Sequence, residues 1–201
     1  MPFSDDAKNA MLDQLDTIAT HLSVHTAYSA SGANEATGGS PAYARQAVSF
    51  DASASGSMSL TAQEDFDLAA ATYGWVGLWS ALTSGTFYGM FPLGGASANG
   101  PKVFTGESTD DVVTCVAHGF SDTDTVVVFG ASLPGGYTAG TVYFVRDATT
   151  DTFKLAATSG GTAITISSDG AGIVQAITQE TLASQGTLSI TDMDLGLNLL
   201  T

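Results

Sequence analysis

Positive charge is scarce in this chain. Its 201 residues carry five Lys and Arg against 20 Asp and Glu, a net charge of −15. Charged residues make up 12% of it, about half the usual share. A nucleic-acid footprint needs clustered cations that displace counterions. Lys8, Arg45, Lys102, Arg146 and Lys154 stand singly along the whole chain, so no nucleic-acid partner is expected. Long apolar runs are missing too. Val126-Val127-Val128-Phe129 and Ile173-Val174 fall far short of the ~20 residues a helical bilayer span requires, so no membrane insertion is expected. Cys115 is the single cysteine and cannot form an internal disulfide. No basic segment followed by an apolar run opens the sequence, and the expectation is a protein made inside a cell rather than secreted. Large side chains are few, with 10 Phe, 6 Tyr and 2 Trp, while Ala, Gly, Ser and Thr supply about half the chain. An interior built from these must be thin and sheet-like. The length fits one domain, or one domain carrying a small second module.

What is present reads mainly as β-structure. One helix is expected first: Ser4 suits an N-cap, Asp5 and Asp6 suit the positive end of the dipole, and Ala7, Leu12, Leu15, Ala19 and Leu22 follow at helical spacing, which carries the helix to about Ser23. Residues 29–41 hold no large apolar side chain and read as a loop that packs by its backbone or stays mobile. Short apolar stretches then recur between Gly, Ser, Asp and Asn clusters. They include 47–50, 57–60, 66–68 and Trp75-Val76-Gly77-Leu78-Trp79, the last apolar on both faces and so expected in the middle of the fold. Composition shifts at Gly94-Gly95-Ala96-Ser97-Ala98-Asn99-Gly100-Pro101, where a module boundary is placed. Beyond it, 111–116, 125–129, 141–145 and 152–155 read as strands. The last two flank a turn at 147–151 and form a hairpin, and His118-Gly119 is turn-like. Two closing strands, 186–191 and 195–199, are too few to make a domain and are expected to complete the sheet begun before residue 95. The resulting expectation is an antiparallel β-sandwich or barrel with one N-terminal helix. Residues 1–95 plus 177–201 form the first domain, and 102–176 an inserted small all-β module.

Candidate chemistry is thin. His21 and His25 have the i, i+4 spacing that places two imidazoles on one helical face, but the neighbour of the first is Leu22, where a zinc hydrolase needs its general-base Glu. The favoured reading is a helix C-terminal cap or polar contact. Asp110-Asp111, Asp122/Asp124 and Asp192/Asp194 pair carboxylates without an EF-hand loop, and solvated turn residues are expected rather than a calcium site. Cys115 sits among valines and reads as core. No Gly-x-Ser-x-Gly elbow occurs, and the Gly-Gly pairs lack a following Lys-Ser/Thr. No enzyme activity, catalytic residue, metal or cofactor is expected. Tyr73, Trp75, Trp79, Phe87, Tyr88 and Phe91 could form a sugar-stacking platform, although a core role fits most of them better. Tyr137, at the Pro134-Gly135-Gly136 turn, and Tyr28 are the aromatics proposed for surface contact, since turn tips are exposed.

Two stretches carry a resemblance. Ala7-Lys8-Asn9-Ala10-Met11-Leu12-Asp13 leads to His25-Thr26-Ala27 and Thr37-Gly38-Gly39-Ser40-Pro41-Ala42-Tyr43-Ala44-Arg45, and Trp75-Val76-Gly77-Leu78-Trp79-Ser80 follows. Together they resemble the tail fibre or minor tail proteins of actinobacterial phages, over about residues 1–94 and 180–200. Gln185-Gly186-Thr187-Leu188 is similar to that family's terminal strand pair. Tyr28-Ser29-Ala30 stands where the family often has an Asp-Pro-Gly type turn. The segment with His118–Asp122, Leu133–Gly136, 141–145 and 151–155 is similar to small β modules of phage tail and fibre proteins. The resemblance implies a structural virion component of the tail tip or fibre, made in the host cytoplasm and assembled as a homotrimer with other virion proteins. A capsid decoration protein is the alternative, and a module that binds host-envelope carbohydrate or a receptor is a further one. No catalytic or cofactor residue is carried over.

Overall fold

The computed structural model describes residues 3–94 and 100–197. In chain order the elements are α1 (Asp5–Ile18), β1 (His21–His25), β2 (Gln46–Ala47), β3 (Ser57–Ser59), β4 (Glu64–Leu68), β5 (Ala71–Tyr73), β6 (Trp75–Trp79), β7 (Phe87–Pro92), β8 (Lys102–Glu107), β9 (Val112–Thr114), β10 (Thr125–Ser132), β11 (Val142–Arg146), β12 (Thr152–Ala156), β13 (Gly170–Ala176), β14 (Glu180–Leu182), β15 (Gly186–Ile190) and β16 (Asp194–Gly196). The protein is mainly β, with one helix at its start and several antiparallel sheets. It divides into two compact units, Met1–Phe91 with Glu180–Thr201, and Pro92–Gln179. Residues 95–99 of the expected boundary segment, and Asn198 and Leu199 of the expected last strand, lie outside the described residues.

In the first unit, α1 begins as its sequence dictates. Ser4 Oγ accepts the Ala7 N–H at 3.3 Å, with Asp5 and Asp6 in the first turn. The helix stops at Ile18, not near Ser23, and residues 21–25 are a strand. The reason is tertiary. Residues 21–25 pair antiparallel along the whole of β6, His21 opposite Trp79 and His25 opposite Trp75, and burial on both faces outweighs local helical propensity. β6 is an inner strand of a four-stranded sheet of order β2-β1-β6-β7, with all five residues buried, as expected of a strand apolar on both faces. The closing segment runs back along the earlier strands in reverse. β14 pairs with β5, β15 with β4 and β16 with β3, each as a separate two-stranded ladder. Residues 29–41 pack by their backbone. Ser29 Oγ accepts the Ser31 and Ala33 N–H groups at 3.1 and 3.0 Å, and Ala36 N–H donates to the Val24 carbonyl at 2.8 Å. Gly32, at φ +77°, lets the Trp79 indole lie so close that a Cβ there would stand 2.5 Å from Cζ2.

The second unit is a closed six-stranded antiparallel barrel of order β10-β11-β12-β9-β8-β13. Alternation along each strand sends one side chain in two inward, and Phe104, Val126, Val128, Tyr143, Phe153 and Val174 belong to the resulting core. β11 and β12 form the expected hairpin, with Val145 opposite Leu155. Its turn begins at Asp147, φ +53°, and is tied by the Thr149 N–H to the Thr152 carbonyl at 2.8 Å. Cys115 is buried in this core, where burial pushes its thiol pKa up. The two chain crossings of the unit touch: the Thr178 N–H donates to the Leu93 carbonyl at 2.8 Å. No helix among the described residues is long and apolar enough to cross a membrane.

Candidate functional site

The densest gathering of polar chemistry lies in the first unit, around β1 and β6. Period two along β1 places Ser23 and His25 on one face, and Gly77 of β6 stands opposite Ser23. His25 Nδ1 lies 2.9 Å from the Ala33 carbonyl. A carbonyl only accepts, so Nδ1 carries the proton and Nε2 is the acceptor. Ser23 Oγ donates to that Nε2 at 2.6 Å and accepts the Trp79 Nε1–H at 2.8 Å. Burial lowers the His25 pKa, partly opposed by the hydrogen bond to Ala33, which holds the imidazole neutral in this chain of bonds.

Beside it, Arg45 is buried yet fully engaged. Its Nε and Nη2 donate to the two Glu35 carboxylate oxygens at 2.8 Å each. Nη1 donates to the Ala81 and Ser84 carbonyls at 2.9 and 2.7 Å, and the guanidinium lies 3.6 Å over the centroid of the Trp79 ring. The Tyr43 hydroxyl donates to Glu35 Oε1 at 3.0 Å and accepts the Val24 N–H at 3.1 Å. Burial pushes the Glu35 carboxyl pKa up, but hydrogen bonding and charge from Arg45 outweigh it and leave the net shift downward. The Tyr43 phenol is driven well above its ordinary range, chiefly by burial.

A serine donating to a neutral histidine is the arrangement that activates a hydroxyl nucleophile. Here both residues are fully buried, and the Gly77 backbone closes over them: a Cβ at Gly77 would stand 2.5 Å from Ser23 Oγ and 2.7 Å from His25 Nε2. No substrate reaches these atoms in this conformation. The arrangement locks β1, β6 and the loop at residues 33–35 to one another. Sequence reasoning singled out His25 but not this set. The available signal was the alternation His-Leu-Ser-Val-His, which a helical reading obscures.

The other sequence candidates are dispersed. His21 Nδ1 bonds Thr20 Oγ1 at 2.9 Å, and His21 and His25 sit on a strand, not on a helical face. Among the described residues no group of three or more His, Cys, Asp or Glu is placed to hold a metal ion. The paired carboxylates were expected as solvated turn residues; Asp110, Asp111 and Asp122 do lie in turns, and several also hold backbone amides. Asp111 accepts the Ile166 N–H at 2.7 Å, Asp122 that of Ala148 at 2.8 Å and Asp124 that of Ser121 at 2.8 Å. Asp194 accepts the Ser59 hydroxyl at 2.5 Å. His118, expected in a turn, lies in the loop that follows the turn at residues 116–117, and its ring is buried. Nδ1 accepts the Phe120 N–H at 3.0 Å and the imidazole stacks on Phe120.

Of the possible sugar platform, Tyr73, Trp75 and Trp79 are core residues and Tyr88 is exposed. Tyr137 is not the exposed turn tip expected. It is buried in the barrel core, 5.6 Å from the Tyr143 ring, with no hydrogen-bond partner for its hydroxyl. The Pro-Gly-Gly backbone makes the turn while the ring folds inward. Tyr28 is half-buried, its ring 5.3 Å from Trp75. Comparison with protein-family models, with curated proteins and with solved structures gives no match.

Proposed function

We propose that this chain is a non-enzymatic structural component of a phage virion, in the tail tip or fibre, working as several copies together with other virion proteins. The observation that carries the reading is the convergence just described. His25, Tyr43, Arg45, Trp75 and Trp79 all come from the stretches that resemble the tail protein family, and they meet in the buried framework of the first unit. They act as scaffold residues, through packing, ion pairing and loop anchoring. The inserted barrel adds support. Its ends are hydrogen-bonded to each other at Leu93 and Thr178, so it can be inserted in another fold at a single point of the chain.

The test is electron microscopy of phage particles whose copy of this chain carries a gold-labelled tag. Label at the distal tail is the expected result. Label spread regularly over the head makes it a capsid decoration protein, and unlabelled particles overturn the virion reading.

A further inference from the structure

The buried Ser23 hydroxyl has three polar neighbours. Its Oγ lies 2.6 Å from His25 Nε2, 2.8 Å from Trp79 Nε1 and 3.3 Å from the Gly77 carbonyl oxygen. The indole N–H only donates and the carbonyl only accepts, whereas Nε2 accepts when the imidazole is neutral and donates when it is charged. A hydroxyl gives one proton and takes two hydrogen bonds. With His25 neutral, Ser23 accepts from Trp79 and donates to Nε2. With His25 charged, Ser23 accepts from both Trp79 and Nε2 and turns its own proton to the Gly77 carbonyl. The bond of 2.9 Å from Nδ1–H to the Ala33 carbonyl serves both states. Both ring nitrogens, the indole and the hydroxyl are therefore satisfied in either charge state, and only the Ser23 hydrogen has to turn. His118 has no such pivot: its Nδ1 accepts the Phe120 backbone N–H at 3.0 Å, a donor that cannot become an acceptor.

The charged groups that act on the ring come from the loop at residues 26–45. Glu35 favours a charged imidazole and Arg45 opposes it, and the two are paired with each other at 2.8 Å. The Tyr43 hydroxyl is bound to Glu35 and the Tyr28 ring lies against Trp75. The strands on either side of β1 bring no ionisable group, since β2 is Gln46-Ala47 and β6 is Trp75–Trp79. On β1 itself His21 sits at the opposite end, bonded to Thr20. Burial disfavours the second proton, while Glu35 and the Ala33 bond favour it.

We propose that Ser23 is the pivot of a reversible hydrogen-bond relay through which the first unit takes up one proton at His25 while the loop at residues 26–45 stays clasped. The relay is a pH-responsive device inside the fold: acid changes the charge at the centre of the framework without opening it. The imidazolium strengthens the bond to Ala33, because a charge-assisted hydrogen bond is about twice as strong as a neutral one, and it places a positive charge toward Glu35. The inference goes beyond the assembly reading and stands without it.

The test is NMR of the full chain with its histidine ring nitrogens labelled, titrated from about pH 8 to about pH 4. At the upper end His25 should show a protonated Nδ1 and a bare Nε2. On acidification Nε2 should gain its proton with a midpoint below the ordinary histidine value. The Thr26 and Ala36 amides, which donate to the Asn34 and Val24 carbonyls, should keep their protection from exchange throughout. Ser23→Ala removes the pivot and leaves the Nε2–H of a charged ring without its acceptor, so proton binding at His25 should weaken by at least about tenfold. Three results overturn the relay: a His25 that stays neutral until the first unit unfolds, a proton that enters only as the Thr26 and Ala36 amides lose protection, or an alanine variant that titrates where the unsubstituted chain does. The first two are read from the unsubstituted chain, so they decide the matter even where the alanine variant fails to fold.

Discussion

Substituting Glu35 by Gln and Arg45 by Met, singly and together, isolates the ion pair that holds the framework of the first unit. Arg45→Met removes two bonds of 2.8 Å to Glu35, two to the Ala81 and Ser84 carbonyls, and the stack on Trp79. Breaking a buried pair from one side costs about 3–5 kcal/mol. The Glu35 side chain is 22% exposed and keeps its Tyr43 bond, so water recovers part of its solvation, while loss of the cation–π contact adds about 1 kcal/mol. The single substitution should therefore cost about 3 kcal/mol, a large share of the 5–15 kcal/mol that holds a typical domain. The double substitution leaves no lone buried charge, and the coupling between the two sites should be about 2 kcal/mol. Both tryptophans lie in β6, so their fluorescence during urea unfolding reports the first unit without interference from the barrel. A coupling below about 0.5 kcal/mol, the value of an ordinary surface pair, refutes the assignment of this cluster as the lock of the fold.

Other outcomes follow from single contacts. Tyr137→Phe removes a buried hydroxyl that has no partner and should stabilise the barrel by about 1–3 kcal/mol, seen as a higher melting temperature; a clear loss would mean that the hydroxyl is bonded. Gly77→Ala should destabilise the first unit by at least about 1–3 kcal/mol, because the new Cβ meets Ser23 and His25. Gly89→Ala, whose Cβ finds ordinary contacts at 3.7 Å, should stay within about 0.5 kcal/mol. Lowered folded-state pKa values at His25 and Glu35 mean that the unfolded chain binds protons more readily. Stability in the first unit should therefore decline as pH falls below about 6.5 through His25, and decline further below about 4.5 through Glu35; a urea midpoint flat from pH 8 to 4 contradicts this. Self-association should tighten with added salt or calcium, which screen the net charge of −15, and scattering that falls steadily with salt contradicts it.

Much of the fold was legible because it depends on local pattern. The capped helix start, the doubly apolar β6 and the hairpin around Asp147 all follow from spacing and turn residues. The helix end was not. A spacing of four returns His21 and His25 to one face in a strand as well as in a helix, so periodicity alone cannot decide, and the pairing partner 54 residues downstream of Ser23 does. Tyr137 was misplaced because turn chemistry describes backbone and says nothing of where the ring goes. Glu35 and Arg45 looked like a loop acid and a stray cation. Only the fold of the intervening loop makes them a pair.

The retraced strand order also sets a schedule for synthesis. β3, β4 and β5 emerge early, yet their partners β16, β15 and β14 follow only after residues 92–179 have been made, a delay on the order of 5–20 s at ordinary translation rates. The barrel, whose strands pair only among themselves, can close first. The nascent chain thus waits with three strands unpaired, and the inserted unit acts as a timer that keeps these three ladders of the first unit open until β14, β15 and β16 have been made.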